Sequence, residues 1–174
     1  EWMADVLKQI QQPLVLDASG FQPLIEKKLQ FNDLPQETIL TPHYAEFSRI
    51  FNMDVKKVWK DPISAVHEII SILDSRVLIL KGSTNIIVTS TGELLLMSNG
   101  TPLLATAGTG DVLSGIIAGA VVQGLSLDDA AIFGTFLHGE CAHQYENLIS
   151  IAGLAATDML SMIPHALESL ENVR

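Results

Sequence analysis

One cysteine, Cys141, is all the sequence contains, so no internal disulfide is open to it, and a reducing cytosol is the compartment this favours. Long hydrophobic runs are also missing: none reaches the roughly 18 residues that a membrane span needs. Positive charge is scarce, with ten Lys and Arg against twenty Asp and Glu and a net charge of −10. That balance argues against general nucleic-acid binding, because a polyanion would be repelled. It leaves a nucleotide ligand open, since a local cradle of backbone amides binds phosphate on an acidic protein. Residues 1–10 are short, mixed in charge and amphipathic, and do not read as a signal peptide. No internal repeat, low-complexity tract or linker stands out. What the chain has is 174 residues, 48% of them hydrophobic, which is one domain with a sizeable core. A helix-rich α/β protein is expected.

The rest is organised around Thr106-Ala107-Gly108-Thr109-Gly110-Asp111-Val112-Leu113-Ser114-Gly115. Strand-like segments precede it and helices follow. Its glycines allow a sharp turn, and residues 112–123 are apolar and small enough for a buried helix. A glycine-rich turn opening a helix presents backbone N–H groups at the positive end of the helix dipole, which is an anion site. Asp111 falls in the first turn, where the dipole favours its ionised form. Two readings stay open from these residues alone: a base that activates a hydroxyl in phosphoryl transfer, or a carboxylate that caps a core helix.

Upstream, residues 13–17 form a short apolar run ending in Asp17, the pattern of a buried parallel strand. Ligands of open α/β sheets gather at the carboxyl ends of strands, so Asp17 is placed either for function or as a cap. Residues 21–29 read as a helix and 38–41 as the next strand, which ends in Thr41-Pro42-His43-Tyr44-Ala45-Glu46. On a helix starting there and running to Phe51, His43 and Glu46 are i, i+3 neighbours on one face. They could touch a substrate or a metal, or simply serve the helix end. Residues 62–73 predict one amphipathic helix, with Ile63, Val66, Ile69, Ile70 and Leu73 inward. Residues 76–80 predict another buried strand, ending in Lys81-Gly82-Ser83-Thr84-Asn85, a phosphate or ribose contact or a plain polar loop. Residues 86–90 and 93–97 predict a hairpin about Thr91-Gly92.

Downstream, residues 127–147 predict a long helix containing His138, Cys141 and His143. The two histidines lie about 140° apart around a helix and cannot share a ligand face, so this segment reads as packed core. Residues 151–163 predict an Ala-rich helix, and Pro164 is expected to start a further one.

Taken in order, Leu-Asp-Ala after a strand, Leu-Thr-Pro-His-x-x-Glu, Lys-Gly, Ala-Thr-x-Gly-Thr-Gly-Asp-Val-Leu-Ser-Gly and Gly-Leu-x-Ala-x-Asp-Met resemble the ADP/ATP-dependent NAD(P)H-hydrate dehydratases of the ribokinase-like superfamily. The resemblance spans about residues 13–167. Departures are Ser19 for a second Asp, Tyr44-Ala45 for Pro-Gly, Ala107 for Gly, and Thr101-Pro102 within a Gly-Asn-Pro turn.

The resemblance implies a three-layer α/β/α fold with a mainly parallel central sheet, this chain being the C-terminal portion of the family's domain. It implies that hydrated NADH or NADPH is the substrate, ADP or ATP the co-substrate and Mg²⁺ the metal. By the same carry-over, Asp111 is the base and touches the hydrate, as does His43. Lys81, Gly82, Ser83, Thr84 and Asn85, with Thr106, Ala107, Gly108, Thr109 and Gly110, contact the nucleotide, and Glu46 helps hold Mg²⁺ through water. A cytoplasmic homo-oligomer acting on a small molecule, without nucleic acid or membrane, is implied as well. The alternatives are a vitamin-alcohol kinase of the same superfamily, or a non-catalytic nucleotide-binding module.

Overall fold

The structure, a computed structural model, describes residues 2–171. Helix α1 (Trp2–Leu7) leads to strand β1 (Leu14–Leu16), a 3₁₀ turn (Ala18–Phe21) and α2 (Gln22–Ile25). Strand β2 (Thr38–Leu40) is followed by α3 (Tyr44–Ile50), α4 (Val55–Lys60), α5 (Pro62–His67) and α6 (Ile70–Leu73). Then come β3 (Val77–Leu80), β4 (Asn85–Val88), β5 (Leu94–Met97), α7 (Thr109–Val122), α8 (Leu127–Leu148) and α9 (Ala156–Glu171).

The strands form one sheet in the order β1-β2-β3-β4-β5. The pairings of β1 with β2 and β2 with β3 are parallel; those of β3 with β4 and β4 with β5 are antiparallel. The sheet is therefore mixed, and its parallel part is the half that carries the site. Alternation along the strands splits the core between two faces. Ile39, Val77, Ile79 and Ile87 pack against Leu113, Ile117, Ala130 and Ala131 of α7 and α8. Leu40, Leu78, Leu80 and Val88 pack against Phe47, Val58, Val66 and Ile69 on the other face. The expected three layers are present. At one point α7 and α8 come very close: a Cβ on Gly134 would stand 2.5 Å from Ile117 Cγ1, so only glycine fits there.

Several expected boundaries move. The helix predicted over 62–73 breaks into α5 and α6, because the Ile69 N–H bonds to Val66 O (3.0 Å) in a tighter i, i+3 turn. Ile69 and Leu73 stay buried while Ile63 faces solvent. The helix predicted over 21–29 shortens to α2, ending before Lys27, whose φ is +56°. Residues 55–60 add a helix that the sequence reading passed over, although Asp54 caps it by accepting the Lys56 N–H (2.9 Å). Pro164 does not start a helix; it lies inside α9. Met159, Met162 and Ala166, on either side of it in sequence, are all buried against α8, and that continuous apolar stripe outweighs one lost N–H.

The β4–β5 turn sits at the end of the sheet away from the carboxyl ends of β1 to β3. Ser90 ties it to α8, its N–H and hydroxyl donating to the Asp128 carboxylate at 2.7 and 2.6 Å.

Candidate active site

Because β1, β2 and β3 are parallel, their carboxyl ends converge, bringing together Asp17, the 41–43 segment and Lys81. Two backbone bonds lock these ends in register: Thr41 N–H to Leu16 O (3.1 Å) and Lys81 N–H to Pro42 O (2.8 Å). The Lys81 ammonium donates to Asp17 Oδ1 at 2.8 Å, and the Ser114 hydroxyl donates to Asp17 Oδ2 at 3.1 Å. Asp17 precedes a 3₁₀ turn but makes no side-chain capping bond. Of its two readings, the side-chain cap is not formed; the carboxylate is held by Lys81 and Ser114 instead.

The first turn of α7 lies over this pair. Gly108 is its N-cap with φ +88°, a left-handed conformation that suits glycine. A Cβ on Gly110 would stand 3.3 Å from Lys81 Nζ and 3.5 Å from Asp17 Oδ2. Gly110 thus lets backbone, cation and carboxylate approach one another. Thr109 is buried, and its hydroxyl shares its one proton between Leu104 O and Thr106 O, both at 2.8 Å. The Thr109 and Asp111 amides bond back to Thr106 O (3.3 Å) and Gly108 O (3.1 Å). The Thr109 amide, expected to face the nucleotide, therefore winds the turn instead. Asp111 stands exposed in that turn. Thr106 and Ala107 are exposed just ahead of the cap.

His138 of α8 supports the turn from behind. Its Nε2 lies 2.8 Å from Thr109 O, and the residue is 6% exposed. Burial, helped by the Lys81 charge, pulls its pKa down to about 4, against the opposing pull of the Thr109 bond. The neutral ring donates its Nε2–H to that carbonyl. Sequence reasoning placed His138 in the core without this role, and it left Ser114 unassigned.

His43 corrects another expectation: it is the N-cap of α3 and lies just outside the helix. Its Nδ1 accepts the N–H groups of Ala45 (3.1 Å) and Glu46 (3.2 Å), while Glu46 Oε2 accepts the His43 N–H (2.9 Å). This reciprocal capping box accounts for the i, i+3 spacing. With Nδ1 accepting these bonds, Nε2 is the ring nitrogen left to act as a donor. Glu46 Oε1 is 3.4 Å from that nitrogen. Among the described residues, no three His, Cys, Asp or Glu side chains group to hold a metal.

In the loop after β3, the Gly82 N–H donates to Asn85 Oδ1 at 3.1 Å. Tyr44 closes over Gly82, where a Cβ would meet the Tyr44 hydroxyl at 2.7 Å. Ser83 is exposed and Thr84 half-buried. The Ser83 carbonyl lies 3.4 Å from where a Cβ on Gly100 would stand, which brings the 98–101 turn onto the loop. The His138–His143 segment holds no metal arrangement: Cys141 is buried, its thiol pushed up to about 11 by burial, and His143 Nδ1 faces Glu146 at 3.3 Å. An apolar groove of about 410 Å³ runs between the start of β1 and the end of α7, lined by Leu14, Val15, Val121 and Val122. It is remote from the charged cluster.

Comparisons with known proteins place the chain in a family. Residues 1–165 match the Carb_kinase family, described as NAD(P)H-hydrate dehydratase. The chain is 32% identical to the bifunctional NAD(P)H-hydrate repair enzyme Nnr of Moorella thermoacetica, covering 96% of this chain and 31% of that protein. It is 34% identical to the ADP-dependent (S)-NAD(P)H-hydrate dehydratase of Neisseria meningitidis, covering 92% of this chain and 53% of that one. The chain thus spans about a third to a half of the length of these relatives. The ADP/ATP-dependent NAD(P)H-hydrate dehydratase of Bacillus subtilis, co-crystallised with ATP/Mg²⁺, superposes with a TM-score of 0.70 at 28% identity, over 76% of this chain and 47% of that chain. A ribokinase-like superfamily protein from Enterococcus faecalis shares the fold, with a TM-score of 0.79 at 22% identity, over 96% of this chain and 57% of that one. By the family match over nearly its whole length, the chain belongs to the NAD(P)H-hydrate dehydratase family.

Proposed function

We propose that this chain forms part of a ribokinase-like domain that dehydrates hydrated NADH or NADPH at the expense of ADP or ATP. The observation that carries the reading is the exposed Asp111 carboxylate one residue past Gly110, whose backbone lies against the Lys81–Asp17 pair. A base, a backbone cradle and a cation at a helix N-terminus are what phosphoryl transfer to a hydroxyl requires. The names of the Neisseria and Bacillus relatives support the choice of co-substrate.

In this reading Asp111 takes the proton of the ring hydroxyl, whose oxygen attacks the terminal phosphorus and displaces the shortened nucleotide. The Lys81 ammonium and the first turn of α7 offset the charge that builds on the transferring group. The ring nitrogen's lone pair then expels phosphate, forming a C=N iminium as the C–O bond breaks, and loss of a proton from the adjacent ring carbon returns the lone pair to nitrogen and restores the C=C double bond. The protonated Nε2 of His43 donates to the hydrate, and Ser83, Thr84 and Asn85 border the nucleotide. Mg²⁺ carried on the nucleotide phosphates would supply further charge neutralisation, with Glu46 the side chain expected to reach it through water.

Asp111→Asn in the whole protein tests this. Turnover of the hydrate, followed at the nicotinamide absorbance band, is expected to fall about 10²- to 10⁴-fold while ADP affinity stays within a few-fold. Near wild-type turnover would return Asp111 to a capping role. A phosphorylated alcohol that persists, with no free phosphate, would assign the site to a kinase.

A further inference from the structure

Helix α4 exposes a tryptophan beside the site. Val58 turns fully into the core, while its neighbour Trp59 is 66% exposed. The indole is nonetheless held in place, its ring standing at 80° to that of Tyr44 with centroids 4.7 Å apart. Tyr44 follows the capping residue His43, and its hydroxyl rests on Gly82, so the aromatic pair continues directly into the 82–85 loop. Burial raises the Tyr44 phenol above its ordinary pKa, so it brings no negative charge to this wall.

The charge around Trp59 points the same way. Three of the ten basic residues of this acidic chain, Lys56, Lys57 and Lys60, lie on α4. Lys57 is paired with Glu68 at 2.6 Å. Lys56 and Lys60, one turn apart, have no ion-pair partner among the described residues. Lys56 and Trp59 are i, i+3 neighbours and share a face. A flat, open indole bordered by unpaired ammonium groups suits an aromatic base that carries phosphate.

We propose that Trp59, braced by Tyr44, stacks the purine base of a bound nucleotide, with Lys56 and Lys60 lending a positive rim to the indole. This rests on the nucleotide reading of the site and extends it to the base. The purine has two sources, the ADP or ATP co-substrate and the adenosine half of the dinucleotide. The same stacking serves both.

Trp2→Phe leaves Trp59 as the chain's single tryptophan. In that background ADP and NADP⁺ are titrated while tryptophan emission is recorded, with calorimetry alongside. Emission is expected to be quenched at the calorimetric affinity by at least one of them: ADP assigns the base to the co-substrate, NADP⁺ to the dinucleotide. Pyrophosphate, which lacks a base, should leave the emission unchanged. Trp59→Leu is expected to weaken the responding nucleotide about ten-fold, and Trp59→Phe to restore most of that loss. Calorimetric binding with unchanged Trp59 emission would overturn the stacking wall and leave the nucleotide reading standing, as would undiminished affinity in Trp59→Leu. No binding of either nucleotide by the folded protein would overturn both. Emission that changes with protein concentration alone would give the surface to a second copy of the chain.

Discussion

At Gly110 the difference between a hydrogen and a methyl group decides whether the charged pair beneath the helix keeps its place. A Cβ there would sit 3.3 Å from Lys81 Nζ and 3.5 Å from Asp17 Oδ2. A β-branched side chain adds two more heavy atoms on a stiff stem. Gly110→Val is therefore expected to push the ammonium off its carboxylate and crowd the phosphate, weakening ADP by at least ten-fold, about 1.4 kcal/mol. Isothermal titration checks this, with circular dichroism confirming the fold; unchanged affinity would remove the cradle from the site. Lys81 and Asp17 could be singled out in the sequence because each ends an apolar run. Their 2.8 Å contact could not, since 64 residues separate them. His138 was harder still. A histidine among alanine, cysteine and glycine on a helix looks the same whether or not it meets a carbonyl 29 residues away.

Among the elements, the strands were legible and the helix boundaries less so. Strands β1 and β3 are uninterrupted apolar runs, and β2 adds a single buried threonine to the same pattern. Helix α9 shows why local punctuation misleads. Proline favours a helix start, yet the stripe of Met159, Met162 and Ala166 continues past Pro164 and packs on α8. The side chain of Pro164 is exposed, so the helix carries the cost of the missing N–H without gaining core contact. Pro164→Ala is expected to stabilise the chain by about 1–3 kcal/mol, raising Tm in a thermal melt. A lower Tm would mean that the packing of α9 on α8 depends on a bend at the proline. The capping box of α3 illustrates the opposite difficulty. His43 and Glu46 have an evident structural job, and that job also occupies Nδ1 and leaves Nε2 beside Glu46 as the remaining ring nitrogen.

For the molecule as a whole, His138 couples the site to global stability through pH. Its folded pKa is about 4, below the ordinary value near 6.5 of an unfolded chain. Between these values the unfolded state binds a proton that the folded state refuses. Stability is thus fully present above the unfolded pKa and falls as pH drops from roughly 6.5 towards 4, by about 3 kcal/mol in total. Denaturant titrations across that range should show the loss. His138→Gln, which can still donate to Thr109 O, should flatten it; an unaltered pH slope in that variant would exclude His138 as the source. The mixed sheet has a practical consequence too. Everything reactive converges on one end of β1 to β3, while the hairpin places Thr91 and Gly92 at the other. That turn is a natural anchoring point for surface immobilisation or a reporter tag. A flexible glycine- and serine-rich insert between these two residues should leave ADP affinity unchanged in a binding titration, so the protein can be tethered by its back with its working face towards solvent.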